Sequence, residues 1–267
     1  MKHLLLSLLL FTLAGCQIDG LDPLNAKTVV PDVNARISRK LSVSVDGKTV
    51  YSEEKYEYNS EGKLARVDRF NRNSNGQLTL SSYQTYGYNT DGTLLRRLDF
   101  YRSSNTSGFQ ALYVRDYRHP AVNQSVEIAF SVNYTSNVWT LMSRTETSTE
   151  NGLPAKVSRY YPNSSQQLIL QNTSTYTYKA GRLIAEEFRD AAGKPYNTQH
   201  YIYKGRTATV ESVVPNSSQS YPVQVLNYDR RARLIRQQYA GRSDYGWSSS
   251  YRSSYSIPAI TVFEYDN

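Results

Sequence analysis

The sequence predicts an all-β chain, an antiparallel meander of repeated hairpins gathered into one large curled sheet, either a β-shell or a partly closed barrel. Three observations carry this. Turn dipeptides recur from Asp46-Gly47 through Glu61-Gly62, Asn75-Gly76, Asp91-Gly92, Asn151-Gly152, Ala180-Gly181 and Ala192-Gly193 to Ala240-Gly241. Asn-Gly or Asp-Gly between β-rich runs is the strongest short-range hairpin signal. The runs between these turns repeat one another, and no stretch of the chain shows a sustained helical period with caps.

The amino terminus is a separate element. Met1-Lys2-His3 is followed by an apolar run, Leu4 to Leu13, and then by Ala14-Gly15-Cys16. A basic start, a short apolar stretch and small residues before a break read as a secretory signal peptide over residues 1–15. The run is too short to span a membrane as a permanent anchor. Leu13-Ala14-Gly15-Cys16 resembles the lipobox of bacterial lipoproteins, and Cys16 is the single Cys of the 267 residues. The resemblance implies cleavage before Cys16 and lipid attachment to its thiol and new amino terminus. Gln17 rather than Asp after it implies, by the same resemblance, the outer membrane. Residues 16–35 carry Pro23 and Pro31 without periodicity and read as a lipidated tether. Residues 36–267 read as one repeat-built β domain.

Within that domain, Tyr56-Glu57-Tyr58-Asn59-Ser60-Glu61-Gly62-Lys63-Leu64 recurs as Tyr86-Gly87-Tyr88-Asn89-Thr90-Asp91-Gly92-Thr93-Leu94. A longer match aligns residues 62–88 with 152–178. It includes Gly62 with Gly152, Val67 with Val157, Arg69 with Arg159, Asn73 with Asn163, Leu78 with Leu168, Leu80 with Leu170, Tyr86 with Tyr176 and Tyr88 with Tyr178. The unit is a two-strand hairpin. Leu78, Leu80, Tyr86 and Tyr88 are all even, so strict alternation places them on one buried side, with the hydroxyls reaching partners near its edge. Gly62, Gly92 and Gly152 are expected in positive-φ turn positions. Near the end, Tyr245, Trp247, Tyr251, Tyr255 and Ile257 alternate with Ser and Gly, the pattern of a half-buried strand.

The unit Tyr-x-Tyr-Asn/Asp-x-x-Gly-x-Leu, and Tyr178-Lys179-Ala180-Gly181-Arg182-Leu183 in particular, resembles the YD or RHS repeats of bacterial cell-surface proteins. That resemblance implies a continuous antiparallel sheet curled into a shell. The repeat spacing here is longer than the family's, and most units lack the Asp after Tyr. With the lipobox, the chain is similar to envelope lipoproteins of Bacteroidota.

Roughly fourteen to sixteen strands cannot stay flat; twist forces curling, splitting or closure. A membrane-spanning barrel needs one apolar face. Lys63 to Arg72 instead puts Arg66 and Asp68 on one parity and Arg69 on the other, and Arg96-Arg97 and Glu186-Glu187 repeat the objection. Catalysis has little to work with. One Cys excludes a disulfide framework and a Cys-based metal site. His119 and His200 have no nucleophile motif beside them and read as turn or strand residues. Glu57, Asp68, Glu186 and Glu187 are carboxylates of the kind a glycosidase pair uses, yet charged strand faces account for them. No cofactor motif is present.

The formal net charge is +8. For an exported chain the anions to meet are lipopolysaccharide phosphates, acidic glycans and lipid headgroups rather than nucleic acid. The sequence therefore leads to a non-enzymatic, lipid-anchored envelope protein with a structural or interaction role, held in the membrane through acyl groups on Cys16. The alternative is a module that binds glycan or another acidic polymer through exposed aromatic and Arg side chains, with Tyr245, Trp247, Tyr251, Arg252 and Tyr255 as the candidate platform. An envelope glycan or another envelope protein is the partner expected besides the membrane.

Overall fold

A computed structural model of the chain describes residues 36–102, 108–133, 135–136, 138–215, 220–239 and 260–266. The leader, the tether, Cys16 and the candidate platform Tyr245, Trp247, Tyr251, Arg252 and Tyr255 lie outside the described residues.

The strands are β1 (Ile37–Val43), β2 (Val50–Tyr58), β3 (Leu64–Arg72), β4 (Leu78–Tyr88), β5 (Leu94–Arg102), β6 (Phe109–Ala121), β7 (Gln124–Asn133) and β8 (Val138–Glu150). They continue with β9 (Leu153–Pro162), β10 (Leu168–Lys179), β11 (Arg182–Asp190), β12 (Pro195–Lys204), β13 (Thr207–Val213), β14 (Ser220–Tyr228), β15 (Leu234–Tyr239) and β16 (Ile260–Tyr265). Each pairs antiparallel with its sequence neighbour, and β1 pairs with β16. The expected all-β meander is observed, and in place of a curled shell or partly closed barrel the sheet closes fully into a barrel. Closure removes both edge strands, which in an open sheet leave unpaired backbone donors and acceptors. At the seam, Leu41 aligns with Val262 and Val43 with Ile260. Leu41, Val43 and Ile260 form a buried apolar cluster there, with Val50 and Val262 packed against it. The Asp266 N–H donates to the Arg36 carbonyl at 2.9 Å, so both ends of the barrel chain meet at one rim. Every described strand lies between Ile37 and Tyr265, and the ring is closed by pairing among these strands alone.

Six turns share one construction, at residues 59–63, 73–77, 89–93, 163–167, 190–194 and 229–233. The first residue is Asn or Asp. Its N–H donates to the carbonyl of the fifth, and the fourth N–H donates back to the first carbonyl. In five of them the first side chain also accepts from the backbone N–H groups of the third and fifth residues, as Asn59 does from Glu61 and Lys63. Asx side chains favour such turns because they imitate a backbone turn. The fourth position has positive φ, filled by Gly62, Gly76, Gly92 and Gly193 and by the non-glycine residues Gln166 and Ala232. The expectation for Gly62, Gly92 and Gly152 holds, at φ of 79°, 88° and 77°.

The face assignment requires correction. Phe70 aligns with Leu80, but Arg69 aligns with Ser82, so Ser81 is an extra residue in β4. A bulge puts two residues opposite one and reverses the alternation beyond it. Leu78 and Leu80 therefore face one way and Tyr86 and Tyr88 the other. Gln171 does the same in β10, separating Leu168 and Leu170 from Tyr176 and Tyr178. The tyrosine face contains Ser174, Ala208 and Val210, none of which has any exposure.

Both faces carry charge. On the tyrosine face Glu54 lies between Lys40, at 3.2 Å, and Arg69. Further round, Asp99 lies 3.1 Å from Arg97 and 3.5 Å from Arg115, which continues to Glu127 at 2.7 Å. The opposite face holds Arg39 with Glu53, Arg66 with Asp68, and Arg96 with Asp116. It also holds the stacked rings of Tyr83 and Phe100, 4.5 Å apart, with Arg66 over Tyr83 at 4.0 Å. None of the described residues forms a helix long and apolar enough to cross a membrane.

Candidate functional site

The rim where the chain ends meet is built from a recurring contact. Tyr58 donates its hydroxyl to the Ile37 carbonyl at 2.9 Å, Tyr88 to Leu64 at 2.8 Å, Tyr203 to Leu183 at 3.1 Å and Tyr265 to Leu234 at 2.8 Å. In each case the basic residue just before the aliphatic one lies over the tyrosine ring. Arg36 covers Tyr58 at 5.5 Å, Lys63 covers Tyr88 at 5.5 Å, Arg182 covers Tyr203 at 4.8 Å and Arg233 covers Tyr265 at 4.6 Å. The hydroxyl satisfies a carbonyl at the start of a strand, and the cation sits on the negative ring face. The sequence signal is a basic-aliphatic pair entering a strand, followed by Tyr at the end of the next strand. Reading the repeats by their Gly and Tyr alone passes over it.

This construction gathers basic side chains along one arc of the rim. Three consecutive turns on it are β10–β11, with Lys179 and Arg182; β12–β13, with Lys204 and Arg206; and β14–β15, with Arg230, Arg231 and Arg233. Asp229 is the only carboxylate in these turns. Turns 163–167 and 190–194, at the other end of neighbouring strands, carry only Asp190 and Lys194.

A cavity of about 810 Å³ opens between the second and third turns, lined by Arg206, Tyr228, Asp229, Arg230, Arg231 and Arg233 among others. The Tyr228 N–H donates to the Arg206 carbonyl at 2.8 Å, fixing the two turns together. Asp229 is largely committed to its own turn. It accepts from the Arg231 and Arg233 N–H groups and pairs with the Arg233 guanidinium at 2.7 Å. Burial raises its carboxyl, but those donors outweigh it and hold the group below the usual carboxylate range. Arg206 and Arg230 are exposed and make no side-chain hydrogen bond or ion pair among the described residues. Outside the cavity, Arg182 lies over Tyr203 at the adjacent turn and has a buried Nη1 with no hydrogen-bond partner among the described residues. Behind the cavity, burial pushes the Tyr228 hydroxyl up to about 12. An arrangement with several guanidiniums, one already neutralised carboxylate and a tyrosine wall suits an anion.

Two of the carboxylates noted in the sequence stand in ion pairs, and Glu57 aligns with Arg66 across β2 and β3. Asp68 pairs with Arg66 at 2.7 Å and Glu187 with Arg189 at 2.5 Å. Glu186 and Glu187, being adjacent in one strand, point to opposite faces. His119 Nε2 lies 3.1 Å from the Leu94 carbonyl, while His200 is exposed on β12 opposite Glu211. Among the described residues no group of three or more His, Cys, Asp or Glu is placed to hold a metal.

No protein-family model matches the chain, and no curated protein sequence matches it. Among solved structures it is similar to a protein of unknown function from Bacteroides fragilis, with 15% identity and a TM-score of 0.42 over 49% of this chain and 95% of that one. It is also similar to a porin-like protein from Bacteroides vulgatus, with 9% identity and a TM-score of 0.40 over 86% of this chain and 98% of that one. A porin-like protein from Bacteroides uniformis has 8% identity and a TM-score of 0.36, over 86% and 96% of the two chains. At these scores none of the three bears on what this chain does.

Proposed function

We propose that this chain is a non-enzymatic, lipid-anchored protein of the bacterial envelope, a barrel that stands in water beside the outer membrane and serves as a scaffold or interaction module. The observation that carries the reading is charge on both faces. An Arg or Lys facing lipid at the bilayer midplane costs about 2–4 kcal/mol. Turning the tyrosine face to lipid would expose Lys40, Glu54, Arg69, Arg97 and Arg115; turning the other would expose Arg39, Glu53, Lys55, Arg66 and Arg96. A barrel of this kind needs a separate anchor, and Cys16 in its lipobox-like setting supplies one. One acyl chain binds marginally and reversibly, whereas two or more hold stably. The carboxylates at work in salt bridges favour a structural over a catalytic role for the strand charges.

The test has two arms. In cells, metabolic labelling with an acyl-chain analogue should mark the parent and leave Cys16→Ala unmarked; equal label in both overturns the anchor. In vitro, the chain from Gln17 onward keeps every described strand and should fold in aqueous buffer without detergent. A requirement for detergent would overturn the water-standing barrel and restore a spanning one.

A further inference from the structure

Resting on that lipid-anchored reading, we propose that the basic rim arc is a membrane-docking surface for the phosphate-bearing headgroups of anionic lipid, with one headgroup seated in the cavity between the β12–β13 and β14–β15 turns. Position and charge both support it. The barrel chain begins at Arg36, and Arg36 is on this same rim, hydrogen-bonded through its carbonyl to Asp266. A tether from Cys16 to Arg36 is about twenty residues, with a reach of at most about 70 Å when extended. A lipid on Cys16 therefore joins the barrel through this rim and keeps the arc within reach of the bilayer, and the charge on the arc selects which rim faces it.

Charge complementarity completes the argument. The arc concentrates Lys and Arg in three adjacent turns, with Asp229 already engaged by Arg233 at 2.7 Å. Arg206 and Arg230 stand exposed at the cavity mouth. Arg182, whose Nη1 has no partner, lies over Tyr203 on the neighbouring turn. Anionic surfaces attract such segments within a Debye length, so the tether supplies proximity and the arc supplies orientation. Docked in this way, the barrel stands with the opposite rim directed away from the lipid.

Co-sedimentation with vesicles tests this without the acyl chains. The chain from Gln17 onward is mixed with vesicles of phosphatidylglycerol and phosphatidylcholine, and separately with phosphatidylcholine alone. Binding is expected to the mixed vesicles only and to weaken with added salt. Each surface arginine contributes roughly fivefold in partitioning, so Arg206→Ala with Arg230→Ala should lower binding by about thirtyfold. Both side chains are exposed and have no ion-pair partner among the described residues, and an unchanged thermal midpoint confirms that the barrel is intact. Equal binding to both vesicle types, or no loss in the double variant, overturns the docking surface. So does binding to soluble polyphosphate or an acidic polysaccharide with none to vesicles, which would assign the cavity to a free polyanion. Acyl labelling at Cys16 is read separately. A labelled protein with no vesicle preference sinks the docking surface alone, while vesicle binding by an unlabelled protein sinks the anchor alone.

Discussion

Exchange of a single residue between two turns of identical construction isolates the cost of the left-handed backbone. Turn 190–194 has Gly193 at its fourth position, with φ of 80°, and turn 229–233 has Ala232 there, with φ of 57°. Both close with the same pair of backbone hydrogen bonds. A side chain in the left-handed region costs about 1–2 kcal/mol, because its Cβ crowds the carbonyl. Against this, Gly frees the unfolded chain, which takes back about 0.4–1 kcal/mol. Ala232→Gly should therefore stabilise the barrel by about 0.5–1 kcal/mol, and Gly193→Ala should destabilise it by a similar amount. No atom lies within 4 Å of where a Cβ on Gly193 would stand, so its loss reads backbone strain and not a clash. For a domain of this size 1 kcal/mol moves Tm by about 2–4 °C. Calorimetry on the two variants, alone and combined, gives the answer. The double variant should fall near the parent, since the turns are distant and additive. Shifts of the same sign in both single variants would refute the assignment of the fourth position as left-handed.

Three further outcomes follow from the ion pairs and the tyrosines. Tyr88→Phe removes the hydroxyl that the Leu64 carbonyl accepts at 2.8 Å, and should cost about 1 kcal/mol in chemical denaturation. Asp99 is 3% exposed beside Arg97 and Arg115, so Asp99→Ala leaves two guanidiniums facing each other and should cost about 3 kcal/mol, with Asp99→Asn less damaging. Stability should also fall at high pH. Burial first, with nearby ionisable groups adding to it, pushes Tyr201 and Tyr228 up to about 12 from an ordinary 10.0. The unfolded chain then releases those protons earlier, so stability is complete below about pH 10 and is lost as pH climbs toward 12. Tyrosinate absorbance should rise together with the loss of β circular dichroism. Ionisation of these two groups near pH 10 in a folded barrel would contradict their burial.

The repeat, the hairpins and most turns were legible because their signals are local. An Asx residue followed by Gly specifies a turn through hydrogen bonds within five residues, and turn 163–167 keeps that construction with Gln166 in the glycine position. Faces were less legible. Ser81 and Gln171 are ordinary strand residues that become bulges only through their pairing with β3 and β9. No local pattern marks them, and one extra residue exchanges the faces of the rest of the strand. Closure was hidden for the same reason. The seam depends on Leu41 and Val43 meeting Val262 and Ile260 from the far end of the chain, a pairing between segments that share no local cue. The basic arc was present in the sequence as separate residues, Lys179, Arg182, Lys204, Arg206 and Arg230 to Arg233. Only the meander, which returns every second turn to the same rim, makes them neighbours.

That return also explains why a barrel so rich in charge holds together. Each strand gives alternate residues to two faces, and register sets basic groups near acidic ones from other strands: Lys40 across from Glu54, Glu54 across from Arg69, Arg96 across from Asp116. Exposed pairs of this kind contribute little singly, about 0–1 kcal/mol. Their larger consequence is for register, because sliding a strand by one residue moves its charges to the other face and brings them against the wrong partners. The more enclosed links, such as Tyr117 donating to Glu127 at 2.8 Å and Arg115 joining Glu127 to Asp99, tie adjacent strands in series around the tyrosine face. Polar pairing in this barrel fixes which residues meet, while the apolar clusters at the β1–β16 seam and around Ala208, Val210 and Leu226 supply burial. On the basic arc the balance is left open: among the described residues Arg206 and Arg230 have no acidic partner across the turns.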